Sequence, residues 1–279
     1  MIADEHGGGE SSDENIVGEI RAKANGIIAG TSVVDRLVVQ HFPECTVTWN
    51  VTEGEGVQSG EQVLNISGPA VQVLRCERIM LNILGRMSGI ATNTAAWVSQ
   101  AGNIGVACTR KTDWGLLDKW SVHVGGGLTH RLSRADALMI KENDLAALAP
   151  GIEEEDVAVA TAVSFIDMDS DAEFTVIEVR DSRQAVAAVK AWDSLQIERS
   201  GCEKIVLLLD NMGPSGCAEV HHILMQENLR AWCILEGSGG VVHEDLGQWI
   251  ESGVDLVSTS ALNRGVSPLD LSMKIVGGD

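Results

Sequence analysis

The segment TRKTDWGLLDKWSVHVGGGLTHR (residues 109–131) sets Arg110, Lys111, His130 and Arg131 around three consecutive glycines, with Arg134 and Lys141 close behind. The surrounding chain is acidic: 20 Lys and Arg against 40 Asp and Glu leave a formal charge of −20. Cations this scarce and this local point to a small anionic ligand. Guanidinium forks grip carboxylates and phosphates through paired hydrogen bonds. Three glycines in a row cost backbone entropy that a simple turn does not require. Two acids, Glu178 and Asp210, offer hard oxygen donors for a divalent cation, or else pair with a neighbouring Lys or Arg. The run SGGV (238–241) is either a turn or a cradle of backbone N–H groups for an anion. Together these groups suit phosphoryl or phosphoribosyl chemistry on a polyanionic small molecule with a metal.

The fold must bring these groups together. IGVAC (104–108), ALMIK (137–141), FTVIEV (174–179), KIVLLLD (204–210), AWCILEG (231–237) and VDLVS (254–258) are short apolar runs that predict buried strands. SRQAVAAVKAW, PSGCAEVHHILMQ and HEDLGQWIES have helical spacing between them. Strand alternating with helix predicts a parallel sheet, and at least six such units favour a closed barrel over an open sheet. Chemistry in such barrels gathers at the C-terminal strand ends. Here those ends carry Arg110, Lys111, Lys141, Glu178, Asp210, Glu236, Ser258 and Thr259.

Before the parallel region, CTVTWNV (45–51) and QVLNIS (62–67) predict strands joined by turns, and a long helix follows with Ser67 as cap and Pro69 in its first turn. Val73, Cys76, Met80, Leu84 and Met87 recur at spacings of three and four and form its apolar face. Arg75, Glu77, Arg78, Asn82 and Arg86 form the polar one. Residues 1–17 are rich in Gly, Ser and acids, and their ends are expected to be mobile.

The bulk composition excludes several roles. A charge of −20 argues against nucleic acid and against anionic membranes, and no stretch reaches the ~20 apolar residues that span a bilayer. The N-terminus has no apolar run and predicts no signal peptide. Six scattered cysteines without a CxxC pair read as reduced thiols of a cytoplasmic protein rather than zinc ligands or disulfides. EGVQSGEQVL (55–64) is similar to the turn of lipoyl and biotinyl carriers, yet no Lys sits at a hairpin tip downstream. Lys111 or Lys141 as a Schiff-base nucleophile of a barrel aldolase is a further alternative.

The motifs ERIMLNILGRMSGIAT (77–92), TRKT with GL, KWSV, GGG and HR (109–131), LMIKEND (138–144), IEV (177–179), LLDNM (208–212), EGSGGV (236–241) and ALNRGVSPLDLSM (261–273) occur in order. In combination they resemble quinolinate phosphoribosyltransferase, the nicotinate-nucleotide pyrophosphorylase family, from about Gly18 to the C-terminus; DEHGGGESS (4–12) is similar to an early turn of that family. The resemblance implies an α/β fold of the type II phosphoribosyltransferase kind. An N-terminal α/β sandwich, residues 1–103 completed by 267–279, would join an incomplete, seven-stranded α/β barrel, residues 104–266. It also implies a homodimer or larger assembly with the site at the subunit interface. The implied reaction is Mg²⁺-dependent phosphoribosyl transfer from phosphoribosyl pyrophosphate to quinolinate, with loss of CO₂, giving nicotinate mononucleotide and pyrophosphate for NAD synthesis.

Site residues carry over by position. Lys111, Lys141, Glu178 and Asp210 form the implied catalytic set, with Glu178 and Asp210 also the metal ligands. Arg78, reaching across the dimer, joins Arg110, Lys111, His130, Arg131 and Lys141 around the ring acid. Ser238, Gly239 and Gly240, with Thr259, Ser260 and Ala261, hold the phosphate. This chain departs from the family pattern at TDWGLL after TRK, at Asp144 where a histidine is usual, and at Ser260 where a glycine is usual. Nicotinate or another ring acid therefore stays open as the acceptor, as does a catalytically degenerate paralogue.

Overall fold

A computed structural model describes residues 14–132, 136–167 and 174–278. The Gly- and acid-rich stretch up to Asp13, and Arg134, lie outside the described residues. The chain divides into two compact units.

The first unit comprises Met1–Ala95, Trp120–Gly126 and Gly265–Asp279. It begins with β1 (Asn15–Ala22), so strand structure reaches into the stretch expected to be mobile. The short β2 (Gly26–Ile27), α1 (Thr31–His41), β3 (Thr46–Trp49), the short β4 (Gly56–Val57) and β5 (Gln62–Pro69) follow. The long helix α2 runs from Ala70 to Ala101. Its predicted apolar face is buried throughout: Val73, Cys76, Met80 and Leu84 are fully inaccessible and Met87 nearly so. Each such side chain contributes roughly 1.5–3 kcal/mol on burial. Val73, Cys76, Met80 and Leu84 pack with Ile20, Val34, Leu64 and Ile66 in one core.

The helix starts later than the sequence predicts. Ser67 does not cap it; it pairs with Val17 on one side and Thr46 on the other, and Pro69 still faces Asn15. Strand pairing on both sides outweighs the local capping signal.

The cap of α1 also comes from a distance. Its N-cap Gly30 has φ 101° and no side chain to offer. The Glu53 carboxylate accepts hydrogen bonds from Gly30 N (2.9 Å), Thr31 N (2.8 Å), Thr31 Oγ1 (2.7 Å) and Trp120 Nε1 (2.7 Å). Burial raises the Glu53 carboxyl, but these donors outweigh it and hold it below the usual glutamate value. A lowered folded value means that the stabilisation is complete above the unfolded glutamate pKa and fades as pH falls through the folded one. Glu53→Gln is expected to cost about 1–3 kcal/mol at neutral pH. The gap from the parent protein should close in acid, as followed by thermal denaturation.

The second unit comprises Ala96–Lys119 and Gly127–Arg264. In chain order it contains β6 (Gly105–Cys108), the start of α3 (Leu116–Val124), β7 (Ala137–Ile140), α4 (Glu142–Leu148), α5 (Glu155–Ser164) and β8 (Phe174–Val179). Next come α6 (Ser182–Arg199), β9 (Ile205–Asp210), α7 (Gly213–Gln226), β10 (Cys233–Ser238), α8 (Leu246–Glu251) and β11 (Leu256–Thr259). The strands form a parallel six-stranded sheet in the order β6-β11-β10-β9-β8-β7.

This is an incomplete barrel, which corrects the closed barrel favoured by the alternation pattern. The seventh strand implied by the resemblance is reduced to one parallel bridge, Ala107 to Leu128, beside β6. Residues 125–127 are all glycine and His130 turns left-handed at φ 54°, so extended pairing has room for a single residue. Near its end the chain returns to the first unit as β12 (Leu271–Gly278), which pairs antiparallel with β1 and completes a sheet of order β12-β1-β5-β3. No described helix is long and apolar enough to cross a membrane.

Candidate active site

Strand periodicity and register together build the site. Side chains two apart on a strand share a face. Glu178 stands beside Leu208, which stands beside Glu236. Two residues further along, on the same face, Asp210 stands beside Ser238 and Ser238 beside Ser258. Below them the same face carries Met139, Val176, Val206 and Ile234, which pack with Ala137, Phe174 and Leu208 as an apolar plug. The sheet therefore ends in a layer of polar groups over a dry base.

Above that layer is a cavity of about 820 Å³. It is lined by Arg110, Lys111, His130, Arg131 and Lys141, by Glu178 and Asp210, and by Ser238, Gly239, Gly240, Thr259, Ser260 and Ala261. Every site residue read from the sequence is thus in one place except Arg78, which is exposed on α2 and does not line this cavity. In a chain of charge −20 the cavity gathers six basic side chains, counting Arg264 and His130, against the three acids Glu178, Asp210 and Glu236.

Local structure explains how each is held. Lys141 is the N-cap residue of α4, and its backbone N–H donates to Asp144 Oδ2 at 3.0 Å. Asp144, which stands where the family has histidine, thereby acts as a helix cap. The Lys141 ammonium pairs with Glu178, whose other oxygen is 4.0 Å from Arg180. Asp210 accepts from Ser238 Oγ at 2.9 Å and Asn211 Nδ2 at 2.8 Å. Asn211 itself is left-handed, with φ 56°, and its Oδ1 fills the space a Cβ would need at Gly239. Gly239 and Gly240 have φ of 85° and 64°, a conformation glycine adopts without strain. Thr259 commits its hydroxyl to the backbone, donating to Val241 O and accepting from Ala261 N, which draws the two halves of the loop together.

His130 holds a left-handed backbone conformation that costs a non-glycine residue on the order of 1 kcal/mol. Its Nε2 lies 2.9 Å from Glu236 Oε2, with both side chains nearly buried. Arg131 is 6% exposed and donates to Ala137 O at 3.3 Å.

A buried layer that sequence reasoning misses supports these groups. Asp118, 1% exposed, accepts from the N–H groups of Asp113 and Trp114 and from Asn263 Nδ2. Asn263 Nδ2 also donates to Lys111 O at 3.0 Å. Lys119, 5% exposed, donates to Cys108 O and Thr129 O. The sequence places Glu236 at a strand end without giving it a role, and it gives none to Asn211 or Arg264. Asp118 and Lys119 stand side by side on α3, and nothing in their local sequence marks them as buried.

Among the described residues no three His, Cys, Asp or Glu converge as a ready-made metal cage. Two carboxylates at the mouth of an anion pocket are nonetheless the donor set that Mg²⁺ takes when substrate phosphates and water complete its shell. Glu178 and Asp210 fit it.

Two family models together match most of the chain. The family model for the quinolinate phosphoribosyl transferase N-terminal domain matches residues 10–88, and that for the C-terminal domain matches 90–274. The chain is 32% identical over 268 residues to a probable nicotinate-nucleotide pyrophosphorylase (carboxylating) of Methanothermobacter thermautotrophicus, covering 94% of this chain and 89% of that protein. It is 33% identical over 261 residues to the chloroplastic nicotinate-nucleotide pyrophosphorylase (carboxylating) of Oryza sativa subsp. japonica, covering 91% and 68%. The crystal structure of NadC from Streptococcus pyogenes superposes with a TM-score of 0.78 at 29% identity, over 95% of this chain and 87% of that one. The nicotinate-nucleotide pyrophosphorylase of Francisella tularensis has the same fold, with a TM-score of 0.81 at 23% identity, over 95% and 88%. By the fold, the site and both family models, this chain belongs to the quinolinate phosphoribosyltransferase family.

Proposed function

We propose that the protein transfers the phosphoribosyl group of phosphoribosyl pyrophosphate to quinolinate, with decarboxylation, giving nicotinate mononucleotide, CO₂ and pyrophosphate for NAD synthesis. The observation that carries this reading is the single cavity in which Arg110, Lys111, His130, Arg131 and Lys141 face two carboxylates and a glycine loop. Arg110, His130 and Arg131 take the two carboxylates of the ring acid. The backbone of residues 238–240 and the turn at 259–261 take the 5′-phosphate. The transition state has ribosyl oxocarbenium character, and the Glu178 and Asp210 carboxylates steady its positive charge. Glu178 and Asp210 would also hold Mg²⁺, which when bound would supply Lewis-acid stabilisation of the departing pyrophosphate. Orienting two anions that repel each other in water is worth up to about 7–11 kcal/mol of the barrier. Once the ring nitrogen is quaternised, loss of CO₂ leaves the electron pair on the ring carbon as an ylide that the adjacent positive nitrogen stabilises, and a proton from solvent completes nicotinate mononucleotide.

In the same reading the protein works in the cytoplasm as a homodimer, and the partner subunit's Arg78 completes the grip on the ring acid. Six free thiols support the first point, and an exposed Arg78 absent from its own chain's cavity supports the second.

The test is an assay with phosphoribosyl pyrophosphate and Mg²⁺, comparing quinolinate with nicotinate. Quinolinate should be consumed with stoichiometric CO₂ and pyrophosphate, and chelation of the metal should stop turnover. Preference for nicotinate without CO₂ release would make the protein a related transferase for a monocarboxylate. Binding without turnover of either acid would make it a degenerate paralogue.

A further inference from the structure

Lys119 is a buried ammonium that the reaction as written does not use. It donates to Cys108 O at 2.7 Å and to Thr129 O. These two carbonyls stand at the roots of the two cation-bearing segments: Thr109, Arg110 and Lys111 follow the first, and His130 and Arg131 follow the second. The roots are joined by the bridge at Leu128, through Leu128 N to Val106 O (2.8 Å) and Cys108 N to Leu128 O (2.9 Å). Beyond that bridge the ammonium takes up the next carbonyl of each segment. Both partners are neutral carbonyls, and the Arg110 and Arg131 guanidinium groups are close enough to act on the ammonium. Burial, reinforced by those two guanidinium groups, lowers the Lys119 pKa. That is a cost the fold accepts in a chain with acids to spare.

We propose that Lys119 is a positioning residue for the acceptor: it sets the separation of the Arg110 and Arg131 guanidinium groups and adds positive charge behind them, selecting a ring dicarboxylate over a monocarboxylate. This rests on the reading of the cavity as a quinolinate and phosphoribosyl pyrophosphate site, and it names the group that gives the acceptor half its charge preference.

The test uses the full chain with Lys119→Met, which keeps the volume and removes the charge, and with Lys119→Arg, which keeps the charge and changes the geometry. Calorimetry measures quinolinate binding alone, and kinetics give kcat and the KM of each substrate. Lys119→Met should weaken quinolinate binding and raise its KM by about 10- to 100-fold. The KM for phosphoribosyl pyrophosphate should stay within about twofold, as for sites that do not share partners. Lys119→Arg should recover part of the lost quinolinate affinity. Equal weakening toward both substrates in either variant, or quinolinate affinity unchanged in a folded Lys119→Met, would overturn the proposal. If Lys119→Met does not fold, Lys119→Arg decides by the same comparison: selective loss for quinolinate supports the proposal and equal or no loss overturns it. A parent enzyme that binds no quinolinate would instead bring down the reading of the site itself, a result visible before any variant is made.

Discussion

Arg131→Ala is expected to lower kcat/KM for quinolinate by about 30- to 5,000-fold, the range for truncating one side of a buried, hydrogen-bonded charge pair. The side chain is 6% exposed and lines the cavity beside His130. Its guanidinium is steadied by Ala137 O at the start of β7, so the group is fixed before substrate arrives. Truncation removes a planar fork that carboxylates match in pairs, and leaves one substrate carboxylate in a desolvated pocket without its counter-charge. Arg131→Lys keeps the charge and loses the fork, so it should fall between the parent and the alanine variant. Steady-state kinetics on variants with unchanged melting temperature check both. An alanine variant within twofold of the parent would remove Arg131 from the acceptor site.

The second large effect is expected at the acidic pair. Glu178→Gln and Asp210→Asn should each lower kcat by roughly 10²- to 10³-fold, as when a preorganised electrostatic group is taken from a transition state. The two should differ in detail. Glu178 pairs with Lys141, so its loss also frees an ammonium on the cavity wall. Asp210 accepts from Ser238 Oγ and Asn211 Nδ2, so an amide there disturbs the glycine loop as well. Both variants should need more Mg²⁺ for half-maximal rate. A Mg²⁺ titration that does not move would show that the carboxylates act on the sugar alone.

Much of this site is legible in the sequence, because parallel strands buried on both faces are written as continuous apolar runs. FTVIEV and KIVLLLD therefore announce β8 and β9, and the acid at or next to the end of each run, Glu178 and Asp210, falls at the mouth of the sheet. Three kinds of feature are not legible. The first depends on remote pairing: β1 and β12 are ordinary mixed sequences, NIVGEIRA and LSMKIVGG, whose local pattern marks no strand, and the return of 267–279 is implied by the family resemblance alone. The second depends on competition, as at Ser67, where two neighbouring strands claim a residue that local rules give to a helix cap. The third is buried charge. Lys119 and Asp118 sit on a nine-residue helix where a charged pair ordinarily marks a solvated face. Only the positions of Thr129 O and Asn263 Nδ2, supplied by other segments, reveal the inversion.

The pairing of β1 with β12 also imposes an order in time. At a synthesis rate of about 5–20 residues per second, roughly 10–50 s separate the completion of Ala22 from that of Gly278. Until β12 is made, β1 has β5 on one side and open hydrogen-bonding groups on the other, the kind of edge that invites pairing with a foreign chain. All six strands of the parallel sheet lie between β1 and β12 in the chain, so β1 waits through their synthesis for its second partner.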